Sequence, residues 1–296
     1  MKRSLGEKIF TVVNTIIMVL ICIVSVYPYL NQLALSFNDG MDAISGGITI
    51  FPREFTFENY RTVFSDPSFL SAAKISVLRV ICSTVLSLLV TYAAAYGLTR
   101  KGLPYRKQLT LFLMLPGYIP AGTIPIYINM KNLHLINTFW VYILPGLFAF
   151  YNMVIIRSYL QELPPEMEES AKIDGANDLI IMFRIIFPMT LPVVACVALW
   201  LSVGAWNDWT TTLTYITDRD LHTLQYLMMR LIKEAELANS MTMQQAMSKG
   251  QEVKAKVTGD TVKAATLIVT TLPILMVYPF LQKYFIKGIN IGAVKG

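Results

Sequence analysis

Residues 162–176 read ELPPEMEESAKIDGA, and where this stretch sits decides the fold. Four glutamates and an aspartate crowd into a chain that is 54% hydrophobic and only 15% charged. An average soluble domain is roughly 25% charged, so the composition belongs to the membrane class. An acidic stretch opened by two prolines, broken by a glycine and flanked by apolar runs reads as a loop between membrane spans.

A helix rising about 1.5 Å per residue needs roughly 20 apolar residues to cross the hydrocarbon core. Six such runs occur, at about 9–30, 69–99, 108–130, 139–157, 188–213 and 263–285, and only the fifth carries an acid, Asp208, near its far end. The predicted fold is therefore an all-α integral membrane protein of six transmembrane helices, one domain over residues 1–296. The first run follows Lys2, Arg3 and Lys8 but is longer than a signal-peptide core, and no small-residue cleavage site follows it, so it is read as a retained span. Lysine and arginine mark cytoplasmic loops. They cluster at Lys2, Arg3 and Lys8, at Arg100, Lys101, Arg106 and Lys107, at Arg157, Lys172 and Arg184, and at Lys283, Lys287 and Lys295. Both termini and the loop 158–187 are thereby expected in the cytoplasm, with 31–68, 131–138 and the long loop 214–262 outside.

The third run, LFLMLPGYIPAGTIPIYINM, holds Pro116, Gly117, Pro120, Gly122 and Pro125. It is either a broken helix lining a path or a kinked helix packed on its neighbours. Segments 31–68 and 214–262 are long enough that they are expected to fold or to bind something, and LHTLQYLMMRLIKEAELANSM within the second has amphipathic helical spacing.

Several chemistries are excluded. The net charge of +6 is scattered rather than gathered on one face, which argues against a nucleic-acid partner. No GxxxxGK[ST] loop is present, so the chain does not hydrolyse nucleotide by that device. No glutamate or histidine lies inside a span, which disfavours a proton relay. His134 and His222 are read as solvated loop residues, and Cys22, Cys82 and Cys196 as small buried hydrophobes, with no metal-ligand spacing among them.

Within the acidic loop, Pro164 and Pro165 suit the first helical positions, and Glu166, Glu168 and Glu169 complement the helix dipole. Asp174-Gly175 predicts a turn. After it, Leu179, Met182, Phe183 and Ile186 have the spacing of a second amphipathic helix ending where Pro188 and Pro192 open the fifth span. Ser170, Ala171 and Ala176 place small side chains near Glu169, the composition of a docking surface rather than a solvated connector.

Residues 168–188, EESAKIDGANDLIIMFRIIFP, resemble the EAA loop of ATP-binding-cassette importer permeases. Glu169, Ser170 and Ala171 stand at E-A-A, Gly175 at the glycine, and Ile185, Phe187 and Pro188 at the end, with serine for alanine and phenylalanine for leucine as departures. The closing IGAVKG and the WNDW of residues 206–209 also resemble the oligosaccharide-importing branch. The resemblance implies a type I importer permease: a non-catalytic subunit of the bacterial cytoplasmic (inner) membrane that moves oligosaccharides, uronic-acid-containing ones such as alginate or pectin fragments among them.

The implied partners are a second permease chain in a heterodimer, two ATPase subunits that hold the ATP and Mg, an extracytoplasmic sugar-binding protein, and the lipid bilayer. No cofactor is expected on this chain. Coupling to the ATPase would fall on Glu168, Glu169, Ser170, Ala171, Asp174, Gly175 and Ala176. A second ATPase contact would fall on Ile291, Gly292, Ala293, Val294, Lys295 and Gly296. Trp206, Asn207, Asp208 and Trp209 are candidates for the substrate path, or the tryptophans for interfacial anchors. An ion-coupled carrier or channel and a non-transporting membrane scaffold are the competing readings.

Overall fold

A computed structural model describes residues 5–100, 102–119, 121–234, 237 and 257–293. Every element among the described residues is helical; there is no strand, only an isolated bridge between Asn38 and Phe55. Three helices are long and apolar enough to cross a membrane: α1 (Leu5–Ser36), α4 (Pro67–Thr99) and the last one, α13 (Gly259–Ala293), through its Gly259–Met276 portion.

Three further candidates are bent pairs. These are α5 (Arg106–Tyr118) with α6 (Thr123–Asn132), the turns Phe139–Gly146 with α7 (Phe150–Gln161) at 50°, and α9 (Asp178–Met189) with α10 (Leu191–Asn207) at 83°. Counting each pair as one span gives up to six.

Of the two readings of the third run, the broken helix is the one seen: α5 stops at Tyr118, and α6 begins after Gly122, whose φ of +85° a side chain would disfavour. Two runs differ from expectation. Residues 139–157 are not one helix: short 3-10 turns precede α7, because Pro145 has no N–H to extend an α-helical ladder. In 188–213 the new helix starts at Leu191, after Pro188. Pro188 offers the carbonyl of Arg184 no donor, and the turn before it, Ile181–Ile186, is wound as a π-helix. The long segment 214–262 does contain the expected helix, α12, described over 224–234 and preceded by a short α11 (Thr210–Tyr215).

The chain forms two compact units. The first comprises residues 1–69 and 227–272. On the apolar α1, the hydroxyls of Thr11 and Thr15 donate to the carbonyls of Glu7 and Thr11, so neither enters lipid unpaired. The segment after it folds into a cap holding α2 (Gly40–Ile44) and α3 (Glu58–Phe64). Buried Asn38 donates to Asp42 at 2.8 Å and accepts from the amides of Arg53 and Glu54. Asn59 donates to the carbonyls of Ser36 and Asn38, and Phe37, Phe55, Phe57 and Tyr60 stack around them.

The amide of Asn38, then Arg53 at 3.0 Å, hold the Asp42 carboxyl below its ordinary value of 3.8. A depressed folded value means that this contribution is complete above 3.8 and is lost as pH falls through the folded value. Hydrogen exchange at the Arg53 and Glu54 amides is therefore expected to quicken, relative to the unfolded-chain rate, only in strong acid. In Asp42→Asn it should already be faster at neutral pH; equal protection in the two proteins would refute this.

The second unit comprises residues 70–226 and 273–296. Many of the buried side chains of α4 are small or carry a hydroxyl, Ala72, Ser76, Thr84, Ser87, Thr91 and Ala95 among them, with the larger Arg79, Tyr92, Tyr96 and Leu98 buried too, while Leu78, Ile81, Val85 and Leu89 point outward. Lipid is as apolar as leucine, so helices in it associate through close contact and interhelical hydrogen bonds. Thr84 meets Ser202 at 3.1 Å and Tyr92 meets Thr190 at 3.0 Å. The larger core, with Tyr92, Met153, Ile156, Ile181, Ile186 and Val197, gathers α4, α7, α9 and α10 around the base of the acidic loop.

Candidate functional site

The acidic loop is the helical hairpin expected. α8 (Glu166–Ile173) follows Pro165, and its end has the two hydrogen bonds of a Schellman motif, from Ala176 N–H to Ala171 O and from Gly175 N–H to Lys172 O. Gly175 sits at φ +79°, and a Cβ there would meet nothing within 4 Å. Gly175→Ala should therefore cost about 1 kcal/mol through backbone strain alone. Gly175→Asn should cost less, since asparagine tolerates this region. Equal losses of melting temperature for the two would contradict the argument. Asn177 then caps α9 by accepting from the Ile180 amide at 2.9 Å.

Glu166, Glu169, Ser170 and Ile173, at i, i+3, i+4 and i+7, are all exposed and form one face of α8. Ile173 is 86% exposed, and beyond the turn Leu179 is 65% exposed. Asp174 and Gly175 are exposed with them. The opposite face is held by this chain. Ala171 is only 6% exposed and lies in the core with Met153, Ile156 and Ile181; Ala176 packs against the same core. Glu168 also turns inward, onto Arg100. Its two neighbouring glutamates thus point different ways: Glu168 to the chain, Glu169 to solvent.

The predicted stripe of the second helix, Leu179, Met182, Phe183 and Ile186, is observed in half. Ile181, Met182 and Ile186 are buried, whereas Leu179 and Phe183 are exposed. The π turn over 181–186 rotates the side chains away from 3.6-residue spacing.

The other candidates are dispersed. Ile291, Gly292 and Ala293 end the last helix, and Val294, Lys295 and Gly296 lie outside the described residues. Asn207 is exposed, while Trp206, Asp208 and Trp209 are half-buried. Trp206 borders a cavity of about 220 Å³ with Val77, Val80, Ile81, Leu199 and Val203. That lining offers a sugar almost nothing to hydrogen-bond.

Asp208 is engaged within the chain. Its carboxylate accepts from the Thr210 and Thr211 amides and hydroxyls, and it pairs with Arg79 of α4. Arg79 is buried, donates a second bond to the Asp208 carbonyl at 2.9 Å, and lies 4.5 Å from the centre of the Tyr142 ring. The Tyr142 hydroxyl joins Thr212 at 2.8 Å and donates to the Leu221 carbonyl, and Thr212 joins Thr223. One buried cation thus ties α4 to the break between α10 and α11.

Two smaller expectations are corrected. His222 is buried, with its ring 4.7 Å from that of Tyr226; His134 is exposed as expected. Cys22 is exposed on α1, and Cys82 and Cys196 are half-buried; all are free thiols. Among the described residues no group of acidic, histidine or cysteine side chains could hold a metal.

With this hairpin in place, a family comparison is decisive. Residues 4–291 match the profile of the binding-protein-dependent transport system inner membrane component. The chain belongs to this family. It is the permease component of a sugar importer of the ATP-binding-cassette class, a transport component rather than an enzyme.

Among its relatives, protein LplC of Bacillus subtilis (strain 168) is 35% identical, over 100% of this chain and 98% of that one. The polygalacturonan/rhamnogalacturonan transport system permease protein YtcP of the same organism is 32% identical, over 94% and 96%. The fold matches a chain from the crystal structure of a bacterial transporter that imports the acidic polysaccharide alginate. The TM-score is 0.85 at 23% identity, over 96% of this chain and 99% of that one.

Proposed function

We propose that this permease is one half of a heterodimeric membrane pore, crossing the cytoplasmic membrane six times with both termini inside. Two ATPase subunits carry the ATP and Mg, and one of them docks on the hairpin 166–176. A sugar-binding protein delivers substrate on the outer face. The observation that carries this reading is the exposed face Glu166, Glu169, Ser170 and Ile173. Ile173, with Leu179 exposed beyond the turn, stands ready as an apolar anchor beside the Glu169 carboxylate, a pairing that supports a covered, partner-facing surface.

Glu169 offers the partner a charge, Ile173 a hydrophobic anchor, and Gly175 the bend that sets the angle of the two limbs. The tail 291–296 is a second contact with the ATPase. Asn207 and the flanking tryptophans border the substrate path, whereas Asp208 is assigned to holding the end of α10.

The substrate proposed is an acidic oligosaccharide. Support comes from the polygalacturonan/rhamnogalacturonan relative and the fold shared with an alginate importer. The test is uptake of labelled oligogalacturonides, oligoalginates and malto-oligosaccharides by cells with and without this chain. Loss of an acidic sugar on deletion is expected; loss of the neutral series alone would reject the substrate assignment.

A further inference from the structure

We propose that Arg100 is a positioning residue that fastens the coupling hairpin to α4 and passes the hairpin's displacement to that helix. This rests on the coupling reading above but concerns a different step, what happens after the ATPase is bound.

Arg100 directly follows the last residue of α4, and its amide donates to the Gly97 carbonyl at 3.2 Å, continuing the helical end. Its guanidinium lies 4.0 Å from the centre of the Tyr96 ring, and Tyr96 is buried in the core shared with α7 and α9. The fork is therefore held to α4 and aimed. One arm, Nη1, donates to the Glu168 carboxylate of α8. The other, Nη2, stands 3.8 Å from the Asp178 carboxylate, the first residue of α9. A single guanidinium spans both limbs of the hairpin, one on each side of the Gly175 turn. Only the Glu168 arm makes a hydrogen bond and the Asp178 arm is an ion pair, but the planar fork faces both carboxylates at once, whereas a lysine would meet one or the other.

The geometry also says where a movement would go. The core contacts of the hairpin, through Ala171 and Ala176, are apolar, and such contacts resist compression but not sliding. The ionic clasp resists sliding. Farther along the same helix, Arg79 pairs with Asp208 at the break between α10 and α11. The two arginines are separated by roughly 30 Å of continuous helix at 1.5 Å per residue. A pull on Arg100 therefore acts on a stiff rod whose other end holds the end of α10.

The experiment uses the whole importer, with its second permease, ATPase and binding protein, in proteoliposomes. Three quantities are read: ATPase retained on the purified complex, ATP hydrolysed, and sugar imported. For Arg100→Gln, retained ATPase should match the unmodified complex while ATP consumed per sugar rises about fivefold or more, the scale of an ordinary coupling between sites. Glu168→Gln cuts the clasp from the other side and should raise the ratio likewise, so the test stands if one variant is not recovered. The exchange Arg100→Glu with Glu168→Arg should return the ratio most of the way.

An unchanged ratio in both single variants would overturn the proposal. So would loss of ATPase in proportion to loss of transport, which would make Arg100 only a prop for the docking face. Failure of the coupling reading is separately visible: Glu169→Lys would then leave the ATPase bound.

Discussion

Glu169→Lys and Ile173→Glu are each expected to detach the ATPase from the permease without weakening the permease itself. Both side chains are exposed in this chain, so their loss removes no internal contact. In the complex they are proposed to be covered. There, a reversed charge or a newly buried carboxylate costs about 3 kcal/mol, on the order of a hundredfold in affinity. The contrasting change is Ala171→Leu. This position is packed against Met153 and Ile156, so extra bulk should cost about 1–3 kcal/mol of the permease's own stability. Binding of purified ATPase to the permease pair in nanodiscs, with melting temperatures measured in parallel, separates the effects. Undiminished ATPase affinity in both Glu169→Lys and Ile173→Glu would show that this face is not the contact.

The second large effect concerns Arg79 and Asp208. Removing one member of a buried pair leaves the other charge uncompensated, at a cost of about 3 kcal/mol or more. The cost should be unequal. After Arg79→Met, the Asp208 carboxylate keeps four hydrogen bonds from Thr210 and Thr211. After Asp208→Ala, Arg79 loses its counter-charge inside an apolar helix, and the first two amides of α11 lose the carboxylate they donate to. Asp208→Ala is therefore the worse single change, and combining it with Arg79→Met should recover part of the loss. Thermal unfolding of the detergent-solubilised protein gives the double-mutant cycle. Simple additivity would show that the pair does not couple α4 to α10.

Much of this was legible beforehand. The Pro164-Pro165 start, the glycine turn and the acids between apolar runs locate the hairpin because each acts through local backbone chemistry, which tertiary context did not override. That the third run would depart from a straight helix was legible for the same reason, though its prolines and glycines alone did not choose between a break and a kink. What escaped depends on contacts. Nothing local separates Glu168 from Glu169, and their division of labour comes from where α4 ends and Arg100 stands. Of the stripe read from the spacing, Met182 and Ile186 are buried, but the π turn leaves Leu179 and Phe183 out and brings Ile181 in, a change in helical register that the residue pattern does not mark.

The ion pair did leave a signal. Arg79 lies well inside the 69–99 run, and Asp208 is the sole acid in the six runs. A cation this far inside an apolar run requires a counter-charge, and only one acid was on offer.

The central claim is that the face Glu166, Glu169, Ser170 and Ile173 is where ATP-driven motion enters this chain. Site-specific cross-linking tests it most directly. With Cys22, Cys82 and Cys196 replaced by serine, a cysteine is introduced at Ile173 or, as the buried control, at Ala171, and the assembled importer is treated with a short bismaleimide. The account predicts a permease–ATPase product from position 173 that changes in yield when ATP is bound, and none from position 171. An importer that takes up sugar normally yet gives no product from position 173 would contradict it.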